Sequence, residues 1–321
     1  MKKIVITLVL LACACAATLY LSPAAQWLSI EQIERLRAGL HEREQVIDDL
    51  RFSYYEGGPQ DAPTVLLVHG FAADKNSWLW FARPLTERYR VIVVDLPGFG
   101  ESSSPHGSYD VGTQAERLAS FIDALALRRV HLLGHSMGGH IAALYAARYP
   151  ERLASLALMA NAGVQAPQPS GFMQRLQRNE SNPLLVENPQ QYSELMNWLF
   201  VAPPQLPQSV HGYLAARAVE RHAHYQRIFS HLQQRYLPLE PELPRIQAPT
   251  LLLWGDSDRI LDRSSIDVMR PLLHDARAVI LKDCGHAPML ERPEQSAGHY
   301  LAFLDDVVRA AAAQKAAAPA N

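Results

Sequence analysis

Gly134-His135-Ser136-Met137-Gly138 places a hydroxyl between two glycines, after a strand-like run at 130–134 and before a helix-like run at 140–148. A sharp strand-to-helix turn of this kind lifts a serine above the end of a sheet, and small flanking residues relieve the crowding. The helix beginning beneath it favours negative charge. A serine is a weak nucleophile until a base removes its proton. The sequence has 13 histidines, of which His286 stands out because Cys284-Gly285-His286-Ala287 directly follows the last expected strand. An acid should orient that imidazole and stabilise its protonated form. Trp254-Gly255-Asp256-Ser257-Asp258 offers two carboxylates, and Asp258 is preferred because it lies deeper in the loop with Ile260 behind it. The other place for the acid, after the run at 155–159, holds Asn161, which carries no charge.

Such chemistry also needs two backbone N–H donors for a developing oxyanion. Met137, next after the serine, supplies one, and Phe71 in His69-Gly70-Phe71-Ala72 supplies the other. His69 is expected to orient its loop rather than act as a base. The Asp95-Leu96-Pro97-Gly98-Phe99-Gly100-Glu101-Ser102 run, rich in turn residues, reads as a structural loop beside the site.

Elements that would carry these residues recur in order. Apolar runs at 64–68, 91–95, 130–134, 155–159, 250–254 and 278–281 have the near-continuous character of strands covered on both faces. Helix-like stretches such as 113–127 and 140–148 alternate with them, which points to an α/β fold, a mostly parallel sheet flanked by helices. The alternation breaks between Gly163 and Ala248, where segments at 172–178, 190–200 and 210–234 look helical, as an inserted cap over the sheet's C-terminal edge. We therefore expect a core at 51–163 and 248–306, a helical cap or lid at 164–247, and an Ala-rich tail at 307–321.

The amino terminus reads as a membrane signal. Lys2 and Lys3 precede an uncharged run from Ile4 to Leu21, which as a helix would span about 27 Å against a hydrocarbon core of about 30 Å. Three readings compete: cleavage near Ala12, Ala14 or Ala16, acylation at Cys13 after Leu10-Leu11-Ala12, or retention as an anchor spanning 1–25. Retention is favoured, because Trp27, Leu28, Ile30, Ile33, Leu36, Leu40, Val46, Ile47 and Leu50 recur at helical spacing and suggest a juxtamembrane helix over 26–50. Trp27 would then sit at the membrane interface, and the two lysines would hold the amino terminus in the cytoplasm.

Composition narrows the function classes. The 321 residues include 30 Lys+Arg against 32 Asp+Glu, for a net charge of −2, so there is no basic excess of the kind that marks a nucleic-acid binder. At 48% hydrophobic and 19% charged residues, the chain can bury a large core. Of three cysteines only Cys284 lies in the body, so neither an intradomain disulfide nor a cysteine-based zinc cluster can form there.

Taken in order, His69-Gly70-Phe71, Asp95-x-Pro-Gly-x-Gly-x-Ser, Gly134-x-Ser136-x-Gly138, Gly255-x-x-Asp258 and Gly285-His286 resemble the landmarks of a serine α/β-hydrolase over about residues 52–306. Lys75 and Trp78 after Ala72, Gly171-Phe172-x-Gln174-Arg175-Leu176, and Asp283-Cys284-Gly285-His286 resemble membrane-anchored monoacylglycerol lipases and bacterial lipases and phospholipases A. The chain order Ser…Asp…His is the one such hydrolases use. A serine at 136 excludes the aspartate nucleophile of haloalkane dehalogenases and epoxide hydrolases, and the Gly-Gly-Pro-Gly loop of proline iminopeptidases is missing. Carbon–carbon bond hydrolases and cofactor-free perhydrolases share the serine and stay open, as does a soluble or secreted esterase of small esters. The resemblance implies a membrane-associated hydrolase of acyl-lipid esters, without metal or organic cofactor, in a bacterial cell envelope with its body in the periplasm. No nucleic-acid partner is expected, and the oligomeric state is left open. Leu195, Met196, Trp198, Leu199, Phe200 and Val201 form an apolar cluster that either lines an acyl pocket or packs cap on core. Arg217, Arg221 and His224 share a helical face that either meets phosphate head groups or is solvated.

Overall fold

The structure, a computed structural model, describes residues 1, 3–7, 18 and 22–317. Its first long helix, α1 (Pro23–Arg37), starts at Ser22, whose side chain accepts from the Ala25 N–H, with proline at the first helical position. It leads into a hairpin of β1 (Leu40–Ile47) and β2 (Leu50–Gly57). Then follow β3 (Thr64–Val68), α2 (Leu79–Ala82), β4 (Arg90–Val94), α3 (Val111–Ala124), β5 (Val130–His135), α4 (Met137–Arg148) and β6 (Leu153–Met159). Four helices, α5 (Gly171–Gln177), α6 (Pro189–Leu199), α7 (Gln208–Glu220) and α8 (His222–Gln234), intervene before β7 (Thr250–Gly255). The chain closes with α9 (Ser265–Met269), β8 (Ala276–Leu281), α10 (Pro288–Glu291) and α11 (Pro293–Ala317).

The eight strands form one sheet in the order β1-β2-β4-β3-β5-β6-β7-β8. The β1–β2 and β2–β4 pairs are antiparallel and all others parallel. Alternate residues of each central strand feed two cores, as the two-residue side-chain period requires. Leu66, Val68, Ile92, Val94, Leu132 and Trp254 face α3 and α4 on one side. Val65, Leu67, Val91, Val93, Leu133 and Leu253 face α2 and α11 on the other.

The helix expected over 26–50 is corrected: it ends at Arg37, and the sheet takes in residues from Leu40 onward. Gly39 adopts φ +62°, a left-handed conformation that terminates a helix, and the chain beyond it pairs Leu40 with Gly57 through Ile47 with Leu50. Trp27 lines a cavity between α1 and the helices of 164–247. Among the described residues no helix is long and apolar enough to cross a membrane. The span expected over 4–21, with Cys13, lies mostly outside the described residues. At the other end the alanine-rich stretch continues α11 as far as Ala317, and 318–321 lie outside.

Candidate active site

Ser136 sits where β5 gives way to α4, with φ +53° and ψ −119°, a backbone state that a non-glycine residue holds only when its surroundings enforce it. The flanking glycines explain how the turn closes. A Cβ on Gly134 would lie 2.2 Å from the Gly138 carbonyl oxygen, and one on Gly138 would lie 2.3 Å from that of His69. A Cβ on Gly70 would lie 3.1 Å from the Cβ of Ser136, so the loop after β3 passes directly over the serine. The Ser136 N–H donates to the Met159 carbonyl (3.0 Å) and the Ser136 carbonyl accepts from the Ala162 N–H (3.1 Å), anchoring the turn to the end of β6.

His286 lies in the loop after β8 and is nearly inaccessible. Its Nδ1 is 2.8 Å from Asp258 Oδ2 and its Nε2 is 3.0 Å from Ser136 Oγ. A carboxylate only accepts, so Nδ1 carries the proton and Nε2 is the acceptor for the serine hydroxyl. The second oxygen of Asp258 accepts from the N–H groups of Ile260 (2.8 Å) and Leu261 (3.0 Å), which fixes the carboxylate plane. Asp256 is exposed and bonds instead to Ser257 Oγ (2.8 Å), so of the pair it is Asp258 that meets the imidazole. Asn161 bonds to the Ala162 carbonyl (2.9 Å) and packs on Gly139, apart from the imidazole.

Two supports come from residues around the turn. His69 Nε2 accepts from the Leu96 N–H (3.0 Å) and its Nδ1 donates to the Gly70 carbonyl (2.8 Å). Complete burial pulls its pKa down, so it is a neutral tie between loops, as expected. His135, which sequence reasoning passed over, donates from Nε2 to the His286 carbonyl (2.8 Å) and is likewise held neutral by burial. The variable residue of the serine motif thus braces the histidine loop, a pairing across 151 positions that only the fold brings about.

Lys75 and Asp95 tie the loop after β3 to the loop after β4. Asp95 is fully buried and accepts from the Lys75 N–H (2.6 Å), from Lys75 Nζ (2.9 Å) and from the Glu101 N–H (2.9 Å). The ammonium also bonds Glu101 and lies 4.9 Å from the centre of the Tyr55 ring. Both carboxylates raise the Lys75 pKa beyond its usual range, against the opposing pull of burial. The Asp95–Ser102 run is therefore structural, as its turn residues suggest.

A cavity of about 120 Å³ opens on Ser136 and His286, lined by Phe71, Leu184, Leu195, Leu199, Phe200 and Leu290. Met137 heads α4, where the first N–H groups have no intrahelical acceptor, and the Phe71 ring is held edge-on by Phe99, Tyr225 and Phe229. Trp198 departs from the expected lining. Its ring lies over Gly171, where an added Cβ would meet it at 3.1 Å, and Arg175 sits 6.0 Å from its centre. At 100° per residue Leu195 and Leu199 share the inward face of α6, and Trp198 turns to α5 instead. His224 also leaves the site, bonding the Gly98 carbonyl at 2.7 Å. Leu184 and Leu290 were not legible as lining, because isolated leucines carry no motif.

The comparisons with known proteins agree with this fold. The profile of the α/β hydrolase fold matches residues 63–293. The chain is 31% identical to monoacylglycerol lipase ABHD6 of Mus musculus over 286 residues, which is 85% of each chain. It is 32% identical to Lipase 1 of Psychrobacter immobilis, over 78% of this chain and 79% of that one. Among solved structures, a membrane phospholipase A described as a bacterial virulence factor is similar at 56% identity and a TM-score of 0.88, over 96% of this chain and 99% of that one. The chain belongs to the α/β-hydrolase family, as a hydrolase of carboxylic esters.

Proposed function

We propose that the protein is a membrane-associated serine hydrolase that cleaves the carboxylic esters of acyl lipids (monoacylglycerols, lysophospholipids or phospholipids) through an acyl-enzyme. The observation that carries this reading is the chain of contacts from Asp258 through His286 to Ser136, set at the wall of an apolar cavity. Ser136 Oγ attacks the ester carbonyl as its proton passes to His286 Nε2, and the Phe71 and Met137 N–H groups receive the oxyanion. Collapse expels the alcohol, which takes the proton from His286. Water, deprotonated by the same nitrogen, then attacks the acyl-enzyme and releases the fatty acid, restoring the serine. Asp258 holds the imidazole and balances its charge when protonated. Leu199 and Phe200 contribute apolar lining for the acyl chain, under a cap formed by 164–247.

Membrane association is supported by the two lysines and uncharged run of residues 2–21, by the exposed Ile4, Val5 and Ile6, and by the similarity to a membrane phospholipase A. It implies a bacterial envelope enzyme anchored with its body in the periplasm, where a tethered enzyme meets lipid esters at high local concentration. The test is a substrate series, p-nitrophenyl esters of rising chain length and then mono-, di- and phospholipids, with the full chain in detergent. Turnover that rises into medium or long chains and disappears in Ser136→Ala supports the proposal. Confinement to acetyl and butyryl esters, or activity unchanged by that substitution, refutes it. Release from membranes without detergent would refute the anchoring.

A further inference from the structure

A second cavity, about 230 Å³, adjoins the one at Ser136 and shares Ala72, Leu184, Leu195 and Leu199 with it. Its walls carry four charged side chains drawn from three parts of the chain: Glu31 of α1, Asp74 of the loop after β3, and Arg217 and Arg221 at the end of α7. Among the described residues Arg217 makes no side-chain hydrogen bond and no ion pair, its guanidinium lying only against the Tyr213 ring at 5.8 Å. Arg221 donates to Tyr225 Oη (3.2 Å) and the Gly100 carbonyl (3.5 Å), neither of them charged. The Asp74 carboxylate accepts from the Asn76 N–H (3.0 Å), and Glu31 is hydrogen-bonded by the Trp27 side chain but forms no ion pair among the described residues. Two guanidinium groups and two carboxyl groups thus face one space without pairing at contact distance. Partly desolvated charges in that state favour a guest with the complementary pattern. The aromatic Trp27, on the same wall as Glu31, adds a surface suited to an ammonium group.

We propose that this cavity is a subsite for a zwitterionic phosphodiester head group, with the phosphate on Arg217 and Arg221 and the ammonium toward Glu31, Asp74 and Trp27. Resting on the hydrolase reading above, it names the substrate class within it: lysophospholipids or phospholipids with an ethanolamine or choline head, ahead of those with a neutral or purely anionic one. Planar guanidinium groups suit a phosphate, and a bare glycerol would leave all four charges unanswered. α1 is then part of the substrate site as well as the element that follows the amino-terminal segment.

The experiment measures kcat/KM of the full chain in detergent on three lipids with the same acyl chain: 1-acyl lysophosphatidylethanolamine, 1-acyl lysophosphatidylglycerol and 1-acylglycerol. Arg217→Gln should lower the ratio of lysophosphatidylethanolamine to acylglycerol at least tenfold, with partial recovery in Arg217→Lys. Glu31→Gln should lower the ratio of lysophosphatidylethanolamine to lysophosphatidylglycerol at least threefold. A purely structural role would move all three substrates together and leave both ratios alone. Either ratio staying within twofold of wild type overturns the inference. Glycerophosphoethanolamine, tested as an inhibitor of p-nitrophenyl ester cleavage, separates a lipid head from a free one: inhibition weakened by Arg217→Gln while the lipid ratios stand still also overturns it. No turnover of any ester by the wild type would defeat the hydrolase reading itself.

Discussion

The backbone N–H of His286 donates to the carbonyl of Leu199 at 2.7 Å, so the end of cap helix α6 holds the loop that carries the imidazole. Gly285 stands at this junction, where an added Cβ would come within 2.4 Å of the same Leu199 oxygen. Backbone cannot yield there as a side-chain tip can, so Gly285→Ala must push the cap or the histidine away. A displacement near 1 Å between nucleophile and base costs on the order of 100-fold in rate. We expect kcat to fall by about that factor while Gly298→Ala, an exposed position of α11 with open space around it, leaves the rate unchanged and raises the melting temperature, alanine being the better helix residue. Comparable kcat for Gly285→Ala and wild type would show that the cap does not position the base.

Lys75 offers a stability test away from the reacting atoms. It is 1% exposed and Asp95 is 0% exposed, so Lys75→Met strands a carboxylate in the interior. Removing one partner of a buried pair costs about 3–5 kcal/mol, far above the value of a surface pair. Urea unfolding of the full chain in detergent should show a loss in that range. Lys75→Met together with Asp95→Asn should recover part of it, since the stranded charge is gone. A loss below about 1 kcal/mol for the single variant would mean that solvent reaches the pair.

The parts of this site that were legible in the sequence are those where chemistry restricts the residue type locally. Gly134, Ser136 and Gly138 must be close to what they are, because backbone oxygens lie within 2.3 Å of any Cβ added to either glycine. Asp258 was separable from Asp256 because Ile260, behind it, is buried at 2% exposure. The edge hairpin was not legible. His41, Glu42, Arg43 and Glu44 are all exposed on β1, a charged edge of the kind that blocks further strand pairing, so no apolar alternation marks it. Leu40, Val46 and Ile47 meanwhile satisfy helical spacing by accident. Trp198 was misplaced for another reason. Spacing says which residues share a face of a helix, and only tertiary packing says what that face meets.

Cys284 tests burial directly. It is inaccessible, and burial, aided by the nearby Glu291 carboxylate, pushes its thiol up to about 12. Only the thiolate reacts, so iodoacetamide at pH 8 should leave Cys284 of the native chain unmodified, read by peptide mapping, and label it once urea opens the fold. A fluorophosphonate, which needs an activated serine, should modify the native chain once, at Ser136, and fail on Ser136→Ala. Alkylation of Cys284 in the folded protein at a rate near that of free cysteine would contradict the packing around the His286 loop.

Glu31 should leave a signature in the pH dependence of stability. Burial, reinforced by the neighbouring Asp74, raises its pKa from 4.5 to about 7, while Arg217 and Trp27 pull the other way. Between those two pH values the folded chain binds more protons at this residue than the unfolded chain does, so stability falls as pH rises from 4.5 and reaches its full penalty above 7. The shift caps the penalty at roughly 3 kcal/mol, and partial exposure brings the expected value down to about 1–2 kcal/mol. Glu31→Gln removes the titrating group. Its unfolding free energy should therefore exceed that of wild type by about 1–2 kcal/mol at pH 8 and by little at pH 4.5, read from urea curves of the full chain in detergent. The reverse order, with the variant gaining at pH 4.5 and not at pH 8, would mean that the carboxylate is stabilised in the fold by Arg217. Glu31 lines the same cavity as Arg217 and Arg221, so under the head-group proposal the same substitution that firms the fold should weaken recognition of an ammonium-bearing head group.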